Sequence, residues 1–176
     1  KSIEFDDVGW TAGGGFDLYL NNTPSWQYKA VNQYLNSGVK LPNTTRFNIN
    51  GRAYPDVSAI GHSCPTFMDG LLTAVDGTSC SAPVVTGLIS YINKWLQDNK
   101  KTKAGFINPL LYYLQDNCDN CFRDVTDGYN WCTESTCCEN KTEFGFSATT
   151  GYDPVSGLGT LNIGSILDYL GQTLYV

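Results

Sequence analysis

Apolar positions in this chain fall into a few periodic runs, separated by punctuation rich in glycine and asparagine. Tyr28, Val31, Tyr34 and Leu35 recur at helical spacing after Pro24, and Asn36-Ser37-Gly38 supplies a stop, which predicts a helix from 24 to 35. Val84, Val85, Leu88, Ile89, Ile92, Trp95 and Leu96 mark a longer core helix, with Pro83 accepted in its first turn because a missing N–H costs nothing there. Asn108-Pro109 opens a shorter helix through Leu110, Leu111 and Leu114, and Ile163, Ile166, Leu167 and Leu170 mark a last one closed by Gly171. Two short apolar runs, 56–60 and 71–75, are bounded by glycines and read as buried strands. Residues 9–23, around Gly13-Gly14-Gly15-Phe16, have loop character. Strand and helix alternate, which predicts an α/β domain with its site at the C-terminal ends of strands.

The strand at 71–75 runs straight into Asp76-Gly77-Thr78-Ser79-Cys80-Ser81-Ala82-Pro83. Such a turn of small residues delivers a serine to the mouth of a helix. Unpaired backbone N–H groups and the positive end of the helix dipole can stabilise an oxyanion there. A plain alternative is that Ser79 or Ser81 only caps the helix.

Composition narrows the classes. The 176 residues are 41% hydrophobic and 13% aromatic, enough for a packed core, and the net charge of -6 leaves no basic stripe for nucleic acid beyond Lys100, Lys101 and Lys103. Those lysines are expected to complement the C-terminal dipole of the preceding helix. No apolar run approaches the roughly 20 residues of a membrane span. The opening Lys1-Ser2-Ile3-Glu4 reads as the start of a processed fragment. Seven cysteines (64, 80, 118, 121, 132, 137, 138) and the sequons at Asn21, Asn43 and Asn140 indicate a secretory route and an oxidising compartment. An odd count leaves one thiol free or bonded outside the chain, and Cys80 is the candidate for a buried free thiol. Cys118-Asp119-Asn120-Cys121 has the spacing of a zinc knuckle, but a single histidine in the chain favours a disulfide. Residues 115–160 hold five of the cysteines and few periodic hydrophobics, so that segment needs staples or a metal.

Gly13-Gly14-Gly15-Phe16, Gly51-Arg52-Ala53-Tyr54-Pro55-Asp56-Val57, Gly77-Thr78-Ser79-Cys80-Ser81-Ala82-Pro83, Asp124-Val125-Thr126 and Gly151-Tyr152-Asp153-Pro154-Val155-Ser156-Gly157-Leu158-Gly159 occur in this order over nearly the whole chain. In these motifs the chain resembles the sedolisin family of serine-carboxyl peptidases, and most of all its tripeptidyl-peptidase branch. The resemblance covers only the C-terminal part of the family's catalytic domain. It implies a subtilisin-like parallel sheet flanked by helices and places the nucleophile at Ser79. The Glu base, the supporting Asp and the oxyanion-hole Asp of the family lie upstream. The resemblance therefore implies an N-terminal light or partner chain from the same precursor, which the odd cysteine could hold by a disulfide. A carboxylate base suits an acidic compartment, lysosomal or secreted, where a histidine would stay protonated.

Asp124 and Asp153 are 29 residues apart on loops rich in glycine, and two hard carboxylates with nearby carbonyls suit Ca²⁺. The resemblance implies a structural calcium held by the carboxylates of Asp124 and Asp153 and the carbonyls of Val125, Thr149 and Gly151. Thr149 stands where glycine is frequent in the family, so its backbone must suit the role.

Two other readings remain. His62, 17 residues before Ser79, could serve a Ser-His hydrolase, or the chain could be a calcium-stabilised glycoprotein module without catalysis. Asp56 is expected to be structural. Gly13 to Phe16 either lines a peptide cleft or forms a plain turn.

Overall fold

The computed structural model describes residues 1–19, 22–131 and 145–173. Contacts divide the chain into two compact units, Lys1–Val57 with Asp124–Gly159 and Ser58–Arg123 with Thr160–Val176.

The first unit holds α1 (Phe5–Val8), α2 (Tyr28–Leu35) and an antiparallel pair, β1 (Gly15–Phe16) with β2 (Ala53–Tyr54). Helix α2 starts four residues later than its sequence pattern predicts because Pro24 to Gln27 form a turn, with the Gln27 amide bonded to the Pro24 carbonyl at 2.9 Å. Ala30, Val31 and Tyr34 form its buried stripe. The buried Gln27 side chain donates to the Ala53 carbonyl at 2.7 Å and accepts from the Ala53 N–H at 3.1 Å, acting as an extra strand beside β2. Phe16, Phe47 and Phe146 form the aromatic core, with ring centroids 5.1 to 5.4 Å apart, and Tyr34 meets Phe146 edge-on. The glycine run ahead of β1 has a packing reason: a Cβ on Gly14 would stand 1.8 Å from the Pro154 carbonyl oxygen. Asn130 holds this crossing, donating to the carbonyls of Gly14 and Pro154 and accepting from the Phe146 N–H.

The second unit contains β3 (Cys64–Met68), β4 (Leu71–Val75), α3 (Thr78–Asp98), α4 (Asn108–Asn117), β5 (Phe122–Arg123), β6 (Thr160–Leu161) and α5 (Ile163–Thr173). Its core joins Ile92 and Leu96 of α3 to Leu114 of α4, Cys121, and Ile166 and Leu170 of α5. Strands β5 and β6 pair antiparallel, and Ser58 bridges Thr160 in the parallel sense. Helix α5 runs past Gly171, where a stop was expected. At the end of α3, Lys100 takes a left-handed φ of 58°, and the amides of Lys100 and Lys101 close on the carbonyls of Gln97 and Leu96.

Four expectations are corrected. Residues 56–60 form no strand beyond the bridge at Ser58. Residues 71–75 do form a strand, but an exposed one: β3 and β4 are a hairpin about Asp69-Gly70, both at positive φ as a two-residue turn requires, and Leu71 is 71% accessible. Helix α3 is buried only at Ile92 and Leu96, because α4 and α5 reach its C-terminal half; Val84 is exposed and Val85, Leu88 and Ile89 are half-buried. Pro83 sits in the second turn of that helix rather than the first.

Candidate active site and candidate metal site

Ser79 is the second residue of α3 and exposed. Gly77 precedes the helix at φ 141°, a region that favours glycine, and its N–H donates to the Gly61 carbonyl at 2.8 Å. Neither serine caps the helix. The Ser81 hydroxyl donates to the Ile60 carbonyl at 2.9 Å, while no described side chain bonds the Ser79 hydroxyl. Ser79 lies on a cleft of about 670 Å³ with apolar walls from Ile60, Pro65, Val75, Pro83 and Val84 and one carboxylate, Asp76. Cys80 is not a free thiol: it forms a disulfide with Cys64 at the start of β3, tying the serine turn to the hairpin. Cys118 and Cys121 form a second disulfide, as expected of a chain this poor in histidine. Cys132, Cys137 and Cys138, with the sequon asparagines Asn21 and Asn140, lie outside the described residues.

His62 is engaged away from Ser79. Its Nδ1 lies 2.9 Å from Asp76 Oδ2 and its Nε2 3.1 Å from Ser63 Oγ. The Ser63 N–H donates to Asp76 Oδ1 at 2.7 Å. No sequence signal linked these residues, since the 62 to 76 contact exists only once the hairpin folds. Asp56 behaves as a structural residue, its carboxylate paired with the Arg52 guanidinium, which also covers the Trp26 ring at 5.7 Å.

The five positions expected to hold calcium lie in the first unit. Asp124 Oδ2 accepts from the Gly151 N–H at 2.7 Å, and Asp153 Oδ2 from the Thr149 N–H at 3.0 Å, so the loop 149–153 is clasped by both carboxylates. Asp153 Oδ1 accepts from the amides of Val155 and Ser156 and from the Ser156 hydroxyl, which also reaches the Val125 carbonyl at 3.5 Å. Thr149 is not at positive φ, whereas Gly151 is, at 87°. Asp153 is buried, and burial pushes its carboxyl up to about 6 against the pull of those hydrogen bonds. Among the described residues its hydrogen-bond partners are backbone amides and a hydroxyl, with no cation among them. Among the described residues no cluster of three or more His, Cys, Asp or Glu side chains occurs. No described helix is long and apolar enough to cross a membrane.

No family model matches the chain. It is 42% identical over 164 residues to physarolisin of Physarum polycephalum and 38% identical over 164 residues to tripeptidyl-peptidase 1 of Homo sapiens, in each case over 93% of this chain and 28% of the relative. The chain thus spans 28% of the length of these relatives. Among solved structures, Pseudomonas sedolisin, a serine-carboxyl proteinase complexed with two molecules of pseudo-iodotyrostatin, superposes with a TM-score of 0.66 at 26% identity, over 91% of this chain and 36% of that one.

Proposed function

Because the chain belongs to the sedolisin family of serine-carboxyl peptidases and has an α/β subtilisin-like fold, we propose that it carries the nucleophile of an acid peptidase, Ser79. The observation that carries this reading is an exposed serine, with no partner for its hydroxyl among the described residues, at the N-terminus of a 21-residue helix and on the wall of a cleft. Its hydroxyl passes its proton to the Glu base and attacks the peptide carbonyl, the C–N bond breaks as the amine leaves with that proton to give the acyl-enzyme, and the Ser79 backbone N–H and the helix end face the developing oxyanion. The Glu and Asp of the triad, and the protonated Asp of the oxyanion hole, come from the N-terminal partner chain of the same precursor. Glu is the suitable base in a lysosomal or secreted acidic setting, because its pKa range meets the working pH. With two disulfides accounting for four of the seven cysteines, one of Cys132, Cys137 and Cys138 is left to bond that partner. Whether the enzyme is an endopeptidase or removes tripeptides depends on that partner.

The carboxylates of Asp124 and Asp153 and the carbonyls of Val125, Thr149 and Gly151 hold a structural Ca²⁺. The fit rests on Asp153: a buried carboxylate with its charge unmatched gains most from a cation. Calcium supplies that charge and pins the loop; the peptide chemistry does not pass through it.

The decisive experiment expresses the full precursor and treats the processed enzyme with a serine-directed phosphonate at acid pH. Modification of Ser79, a second polypeptide in unreduced mass spectra and loss of hydrolysis in Ser79→Ala support the reading. Activity retained by Ser79→Ala overturns it.

A further inference from the structure

The segment before β3 and the turn that carries Ser79 are joined repeatedly within the second unit. The Gly77 N–H meets the Gly61 carbonyl, the Ser81 hydroxyl meets Ile60, the Cys64–Cys80 disulfide closes the far side, and Asp76 gathers both the His62 ring and the Ser63 amide. Ser63 is held at φ 54°, a left-handed conformation that a serine keeps only where its surroundings fix it, and the bond from its N–H to Asp76 is one such fixture. Asp76 lies three residues before Ser79 and lines the same cleft.

We propose that His62 and Asp76 are a positioning pair for Ser79, clamping residues 60–64 onto the serine turn. The proposal rests on the reading of Ser79 as the nucleophile. Neither residue is the base: His62 is turned to Asp76 and Ser63, and acts through the turn. The ionised Asp76 carboxylate can only accept, so the His62 Nδ1–H donates to its Oδ2. Among the described residues Asp76, from the β4–α3 turn, is the charged group in contact with His62, and on its own segment the ring meets the neutral Ser63 hydroxyl. Both side chains are partly exposed, so solvent limits the effect.

The test uses the full processed enzyme with His62→Ala, His62→Gln, Asp76→Asn and the double variant His62→Ala/Asp76→Asn. For a partly exposed pair, His62→Ala and Asp76→Asn each lower kcat about two- to fivefold, with KM little changed. The double variant is no worse than the more affected single. Glutamine keeps a side-chain donor that can reach Asp76, so His62→Gln restores kcat where His62→Ala does not. Hydrogen exchange of the amides 76–81 quickens in His62→Ala and Asp76→Asn. Additive losses in the double variant, or unchanged exchange in both singles, overturn the proposal. So does fluorophosphonate modification of Ser63, which would make Asp76, His62 and Ser63 a catalytic set of their own. If the wild-type enzyme hydrolyses no peptide, the peptidase reading fails, and the exchange measurements still decide whether the clamp exists.

Discussion

Asp153 concentrates the electrostatics of the first unit in one side chain. Its carboxyl is buried among amides, and burial outweighs four hydrogen bonds in setting its protonation. The Tyr34 phenol is pushed up too, by burial first and then by the charge of Asp153. The sign of the linkage follows. An acid whose folded-state value is about 6, against an unfolded value of 3.8, favours the fold when protonated, so stability is full below the unfolded value and is lost as pH rises through about 6. By the usual conversion the loss is about 3 kcal/mol at neutral pH. With chelator present, the unfolding midpoint is therefore expected to fall between about pH 4 and pH 7, and added Ca²⁺ to flatten that slope. A midpoint that ignores both pH and Ca²⁺ would remove Asp153 from the metal site. Ser79 gives a second prediction at this scale: Ser79→Ala abolishes peptide hydrolysis and phosphonate labelling while leaving the thermal midpoint within about 1 °C, since its hydroxyl has no described partner to lose.

Among the elements, the turn between β4 and α3 depends on its covalent tie. The Cys64–Cys80 bridge closes a loop with a sequence separation of 16 that contains the whole exposed hairpin, and a loop of this length is worth about 3 kcal/mol by chain entropy. Replacing both cysteines by alanine should lower stability in denaturant titration by up to about that amount and reduce kcat more than KM, because the serine turn loses a fixed wall. An unchanged titration would mean that the hydrogen bonds around Gly77 and Asp76 suffice. In the first unit, Gly14→Ala places a methyl against the Pro154 carbonyl, where backbone must move, and a loss of about 1–3 kcal/mol is expected. Folding as stable as wild type in the same titration would show that the crossing is loose. The glycine run thus answers the choice left open between cleft and turn at one position: Gly14 is glycine for packing.

For the whole molecule, the distribution of exposed apolar residues matters most. Phe67, Met68, Leu71 and Leu72 of the hairpin are exposed, and so is Val84 on α3, although the run from Val84 to Ile89 has the spacing of a core helix. Scattered exposed hydrophobics are ordinary, but neighbours on one hairpin make an apolar surface that a partner could cover. The proposed partner chain is the natural cover, given that the chain spans 28% of its relatives' length. Expressed alone, the 176-residue chain should bind a hydrophobic dye and hydrolyse no peptide, and coexpression with the N-terminal part of the precursor should suppress the first and restore the second. Activity from the isolated chain would show that it supplies its own base.

What the sequence determined by itself is local placement: Ser79 in its small-residue turn at the mouth of a helix, Asp124 and Asp153 on their loops, the helical runs, and the likeness to the sedolisin family. These follow from short spacings, because caps, turns and periodicity are set by neighbouring residues. The Asp69-Gly70 turn was also there to be read, between Phe67-Met68 and Leu71-Leu72, and it would have exposed the hairpin that an apolar run alone disguised as a buried strand. Only the tertiary structure decided that Cys80 pairs with Cys64, that His62 turns to Asp76 rather than to Ser79, and that α3 is covered over only its C-terminal half. Each depends on which distant segment arrives beside it, and burial and pairing are properties of that meeting, not of the residues that take part in it.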